Sequence, residues 1–343
     1  MSPTAETPRR HDPYHAGVTL FWNPTERRLR AGWRLLLQPL LTLAVAVLPV
    51  VAIGESLSRL RDRGLLRGAS DPVFDKIADL IVGPLFGVLI LASLALAARR
   101  LDRRPFRDLG FRFTPRWFRD VGYGVAVSGV MMAALFLVAL AAGWVRVTGA
   151  PRVAEGLPAA LGLAYSLVKA ACVATYEEAF SRGYQLKNLA EGLNGIRGLR
   201  PRSAVLLSAL LTSCLFGVLH SRNENATAMS TALLAVIGVV YALPYILTGQ
   251  LGTSIGLHAG WNLFQGTVFG FPDSGDREPV SLLSIDPTGP PALVGGEFGP
   301  EAGFLSLFAM LIGAGLILAR ARAGAGVRID LAIARYSPSA APA

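Results

Sequence analysis

The chain's chemistry centres on Tyr176-Glu177-Glu178-Ala179-Phe180-Ser181-Arg182-Gly183, two carboxylates and a guanidinium within a strongly apolar part of the sequence. A charged side chain at membrane depth costs about 2.5–3.5 kcal/mol on insertion scales, so it persists there when it is paired or put to use. Glu178 and Arg182 stand four apart, share a helical face and can form an ion pair. Glu177 is turned about 100° from Glu178 around the helix and is the freer carboxylate. Desolvation makes an unpaired carboxylate a stronger proton acceptor. His258 and Asn262 are also four apart, which sets an imidazole beside an amide; Phe216 and His220 repeat the spacing, with an aromatic ring under the imidazole. A carboxylate, two imidazoles and an amide suffice for water attack on a carbonyl, Glu and His activating the water, His and Asn holding the oxyanion.

Other polar or reactive residues carry plainer readings. The Glu178–Arg182 pair reads first as structural. Lys169, eight residues before Glu177, could face the same cavity but is read as snorkelling to the interface. Trp261 and Phe180 read as packing residues and Asn223 as a loop cap. Cys172 and Cys214 are small apolar filler inside spans. His11 and His15 are spaced as a metal pair could be, yet Pro13 between them and polar neighbours make that stretch a solvated tail.

These residues need elements deep in an apolar medium to position them, and composition supplies such a medium. The 343 residues are 52% hydrophobic and only 16% charged, with a mean hydropathy of +0.46, far from the balance of soluble domains. Apolar runs at 35–54, 77–98, 121–145, 158–176, 203–220, 228–247, 251–271 and 302–319 each approach the roughly 17–25 residues that a helix needs to cross hydrocarbon. The fold class is therefore all-α, a polytopic membrane protein of about eight transmembrane helices around an intramembrane cavity. Residues 1–34 form an extramembrane arm, 35–322 a single transmembrane domain with the motif-bearing core at 158–271, and 323–343 a tail. No internal repeat divides it, and no cleaved signal is expected.

The net charge of +10 does not point to nucleic acid, because the basic residues border the spans and no base-reading motif accompanies them. The densest basic loop runs from Arg99 to Arg119. With eight spans, 23 Lys or Arg lie on that side, nine on the other, and Lys169 within a span. By the positive-inside rule both termini face the cytoplasm. Thirty arginines against three lysines point to a GC-rich, bacterial genome, and so to a bacterial cell membrane.

Along the chain, residues 55–76, with Leu57, Leu60, Leu65 and Leu66, read as a short interfacial helix. Gly122, Gly124, Ser128 and Gly129 in the third span permit close helix packing. Pro158 opens the fourth helix, which continues past the motif toward Gly192. The 29-residue loop at 272–300 is long enough to be a lid or a disordered connection.

The Glu-Glu-x-x-x-Arg of Glu177 to Arg182, the Phe-x-x-x-His of Phe216 to His220 and the His-x-x-x-Asn of His258 to Asn262 fall in this order on successive helices. Together they resemble the CAAX protease and bacteriocin-processing (CPBP, or Abi) family, whose eukaryotic members are the type II CAAX prenyl endopeptidases. The likeness covers roughly 158–271, and Asp108-Leu109-Gly110-Phe111 resembles a weaker feature of the same family. It implies an eight-helix intramembrane endopeptidase in which Glu177 is the general base, His220 its partner, His258 with Asn262 the oxyanion pair, and Glu178 with Arg182 the helix support. The family is described both as a metalloprotease and as a glutamate protease. The zinc ligands would be Glu177, His220 and His258, but the chain lacks a His-Glu-x-x-His helix, so a metal-free mechanism without cofactor is the expectation and zinc the alternative. A proton-coupled transporter or a non-enzymatic immunity factor are the readings from other classes.

The expected partners are the lipid bilayer and a membrane-anchored protein or peptide. In a bacterium that substrate is a bacteriocin-like peptide or another membrane-anchored protein rather than a prenylated one. The prenyl-protease resemblance implies a cytosol-facing cavity. Helix rise instead puts Glu177 and His220 about 22 and 27 Å from the turn near residues 194–202, at matched depth but away from the cytoplasmic loop.

Overall fold

The computed structural model describes residues 20–64, 72–149, 151–194, 196, 198–324 and 326–337. His11, His15, Leu65 and Leu66 lie outside the described residues. A short hairpin of β1 (Trp22–Asn23) and β2 (Arg28–Leu29) precedes the helices. These are α1 (Ala31–Asp62), α2 (Pro72–Arg100), α3 (Pro115–Ala141), α4 (Ala159–Asn194), α5 (Pro201–Leu219) and α6 (Ala228–Thr248), then α7 (Gly252–Asn262) and α8 (Leu305–Ala323).

Local sequence sets their ends. Thr114 caps α3 by accepting from Trp117 N, with Pro115 at the first helical position. Pro158 caps α4, as expected. Thr227 and Ser230 form a reciprocal capping box at α6. Gly249, at φ +63°, ends α6 in the left-handed conformation open to glycine.

Seven of the described helices, all but α7, are long and apolar enough to cross a bilayer, one fewer than the eight expected. The run at 251–271 is the exception. It forms eleven residues of α-helix followed by six of wider π-helix, Leu263–Val268, mostly enclosed by its neighbours rather than by lipid. Its apolar length reflects burial in protein. α7 lies against α3 with backbones almost touching: a Cβ on Gly124 would meet Thr253 O and Leu257 N, and one on Gly256 would meet Val121 O. Ser128 Oγ donates to Leu257 O across the same seam at 2.5 Å, and Gly129 makes room for the Phe264 ring. Gly122, grouped with them by sequence, faces open space and has no such role.

The bundle has two different ends. At one, Glu191 of α4 receives Arg28 at 2.8 Å, Arg104 at 2.5 Å and Arg34 at 3.3 Å, while Arg34 and Arg104 also approach Asp102. Arg28 and Arg34, read in sequence as part of the extramembrane arm, are instead buried in this cluster, where three guanidiniums and two carboxylates offset one another's charge away from water. The tail returns to the same end, where Asn194 donates to Ala334 O. At the other end, β3 (Val145–Gly149) pairs with β6 (Ser284–Pro287) and β4 (Arg152–Val153) with β5 (Val280–Ser281), both antiparallel. The 272–300 segment is thus a folded cap tied to the α3–α4 connection. The expected interfacial helix at 55–76 is, as far as Asp62, an exposed continuation of α1.

Candidate active site

Glu177 and Glu178 end the regular part of α4. The next eight residues, Ala179–Leu186, wind as a π-helix, and a second π-helical stretch follows Asn262; such wide turns occur frequently at functional sites. Glu178 is fully buried. Its Oε1 accepts from Arg182 Nη1 at 2.8 Å, which is the expected ion pair, and from His258 Nδ1 at 3.0 Å, which sequence spacing did not reveal. Arg182 is itself held by Gly238 O at 2.8 Å and lies over the Phe216 ring.

Both imidazoles are oriented through Nδ1. His220 caps the end of α5, and its Nδ1 meets the carbonyl of Phe216 at 2.8 Å. A carbonyl only accepts, so that nitrogen carries the proton and Nε2 is left facing the cavity. Phe216 lies under His220, with ring centroids 4.5 Å apart, and is edge-on to His258; Tyr241 stacks on the other face of His258. The two Nε2 atoms converge on one oxygen: His220 and His258 each stand 3.9 Å from Glu177 Oε2. That oxygen is buried and has no hydrogen-bond partner among the described residues.

Glu177, His220, His258 and Asn262, predicted from four separate motif positions, therefore line one cavity of about 200 Å³. The cap supplies further lining residues that sequence reading missed, Asp273, Ser274 and Asp276. Asn223, read as a loop cap, does bind a loop, donating to Ser274 O at 3.1 Å, and lines the cavity as well. Lys169 is corrected more strongly. It does not snorkel into lipid headgroups but lines the cavity, its Nζ between Glu278 at 2.8 Å and Asp276 at 2.9 Å, while Glu278 also accepts from Ser166 at 2.6 Å. Two carboxylates in reach of a half-buried ammonium outweigh the pull of the interface. The cluster of acids at 273–278 was the available signal, unread because nothing in sequence told which helix the loop would cover.

Behind the rim, Glu301 accepts from Gln265 Nε2 at 2.6 Å and from Ser274 Oγ at 3.1 Å. Burial, with the neighbouring Asp273 charge, pushes the Glu301 carboxyl up to about 8, and burial likewise raises Asp273. The bonds from Gln265 and Ser274 to Glu301 tie the cap to α8's approach beside the cavity.

Fold and site together define a polytopic helical membrane protein with an acid–imidazole cavity inside its bundle. Residues 158–264 match the family model for type II CAAX prenyl endopeptidase Rce1-like, and the chain carries a domain of that family of CAAX-protease-like intramembrane peptidases. No curated protein and no solved structure matches the chain.

Proposed function

We propose that the protein is an intramembrane endopeptidase that hydrolyses a peptide bond of a membrane-associated protein or peptide, with water activated by Glu177 and His220. The observation that carries this reading is the approach of two imidazole Nε2 atoms to a single glutamate oxygen, at 3.9 Å each. That separation is too long for a direct hydrogen bond and suits a shared water: at about 2.8 Å from each partner, one molecule reaches both Glu177 Oε2 and His220 Nε2. Its two hydrogens are then engaged, and a lone pair is free to attack a carbonyl carbon.

As the new C–O bond forms, Glu177 takes the water proton and the carbonyl oxygen becomes an oxyanion. His258, its Nδ1 held by Glu178, turns its Nε2 edge toward that oxyanion beside the Asn262 amide, which donates to it. The C–N bond then breaks, and Glu177 delivers its proton to the departing nitrogen.

A second reading makes Glu177, His220 and His258 zinc ligands, the metal acidifying a bound water. It is favoured by the anchoring of each imidazole at Nδ1 with Nε2 left free, as in metal-bound histidines. The spacing fits loosely: ligands about 2.0–2.2 Å from a tetrahedral zinc lie closer together than 3.9 Å. Among the described residues no group of three or more His, Cys, Asp or Glu side chains is spaced to hold a metal. The steps above therefore use the chain's own groups alone.

The test is cleavage of a membrane-anchored reporter peptide by the purified full-length protein in liposomes containing H2(18)O, before and after chelation. The reading predicts one heavy oxygen in the new carboxylate and the same turnover after chelation. A stoichiometric zinc whose removal stops turnover would transfer the site to the second reading. Cleavage without solvent oxygen, or none of any anchored peptide, would end the hydrolase proposal.

A further inference from the structure

We propose that the cavity opens on the non-cytoplasmic side of the membrane and takes anchored polypeptides whose cleavable stretch lies on that side. The substrate part rests on the peptidase reading; the orientation does not.

The basic residues divide unevenly between the two ends of the bundle. The eight arginines from Arg99 to Arg119 lie at the end of α2, in the α2–α3 connection and in the first turns of α3. They share their end with Arg28 and Arg34, through the common contact to Glu191, and with the tail, through the bond from Asn194 to Ala334. At the capped end, residues 143–158, 220–227 and 272–304 hold four arginines, Arg146, Arg152, Arg222 and Arg277, and the stretch 55–76, across the junction of α1 and α2, adds four arginines and Lys76, nine basic residues in all against 23. An excess of Lys and Arg in short loops marks the cytoplasmic side, which assigns the arginine-rich end to the cytoplasm and the cap to the opposite face.

The cavity belongs to the capped end. α5 starts at Pro201, beside Arg200 and Arg202, and its 19 residues carry the chain about 28 Å before His220 caps it. That is close to the roughly 30 Å thickness of the hydrocarbon, so His220 stands near the far boundary of the membrane. Asn223, Asp273, Ser274 and Asp276, all from connections at that end, complete the lining. Toward the cytoplasm the path is filled. Below Glu177 come the buried Glu178–Arg182 pair, Gln185 bonded to Gln38, and Tyr184 and Asn188 both bonded to Asp102, before the Glu191 cluster is reached. A peptide arriving from the cytoplasm would have to part each of these layers, whereas from the other face it meets a rim of cap residues. The cytosol-facing cavity implied by the prenyl-protease resemblance does not fit this arrangement. The substrate must accordingly reach the outer side by a translocation or membrane-insertion step before cleavage.

The test uses the full chain with Cys172→Ala and Cys214→Ala, expressed in a bacterial inner membrane, carrying one added thiol at a time. Arg222→Cys and Leu282→Cys report the capped end, and Arg112→Cys and Arg119→Cys the arginine-rich end, all at exposed positions. A membrane-impermeant maleimide should label the first two in intact spheroplasts and the other two only after lysis. The reverse pattern, or labelling of all four before lysis, overturns the orientation. Labelling needs no turnover, so its outcome stands even if the peptidase reading fails. Given turnover, an anchored reporter with its cleavable stretch on the outer side should be cut and its inverted counterpart left intact; cleavage of the inverted one alone would overturn the substrate assignment.

Discussion

Glu178 serves two neighbours at once, and that shapes what its loss should do. Its Oε1 holds both Arg182 and His258 with no solvent exposure, and stripping one partner from a buried ion pair costs about 3–5 kcal/mol. Glu178→Gln and Arg182→Ala should each lower the thermal midpoint, and the double variant should fall short of the sum by a coupling of about 0.5–3 kcal/mol. Strict additivity in that cycle would remove the pair as a unit. Glu178→Gln should also slow turnover, because His258 loses the carboxylate at Nδ1. The ion pair was legible in sequence because both partners sit four apart on one helix. The bond to His258 was not, since it joins residues eighty positions apart, and local spacing says nothing about which helices meet. Lys169 was misread for the same reason: its carboxylate partners lie more than a hundred residues away.

At the scale of elements, the site depends on how closely α7 can approach α3, since α7 carries His258 and Asn262. A side chain on Gly256 would drive into the Val121 carbonyl, and overpacking of this kind costs about 1–3 kcal/mol. Gly256→Val should therefore lower the thermal midpoint and depress cleavage by displacing His258. Gly122→Val, where a side chain meets open space, should leave both unchanged; equal effects at the two positions would refute the close-approach argument. The start of α4 was readable because Pro158 acts through local backbone chemistry. The span count was not fully readable, because hydropathy records how apolar a segment is and not whether lipid or protein surrounds it. α7 is apolar because protein encloses it. The π-helical turns after Glu178 and Asn262 leave no periodic signature in runs this short.

For the molecule as a whole, composition settled the class, and the positions of the arginines marked one end of the bundle. The cap was hidden from sequence reading. Its strands are two to five residues long and pair with partners more than a hundred residues away, too short for alternation to register and too distant for a turn signal. Yet the cap rims the cavity and gives it a direction. Four residues scattered over three helices do meet at one place, and the central claim is that Glu177 works there as the base. The measurement that tests this most directly is the cleavage rate of purified Glu177→Gln protein beside wild type, each with the same thermal midpoint. Loss of a general base predicts a fall of about 100- to 10,000-fold; turnover at the wild-type rate would contradict the account.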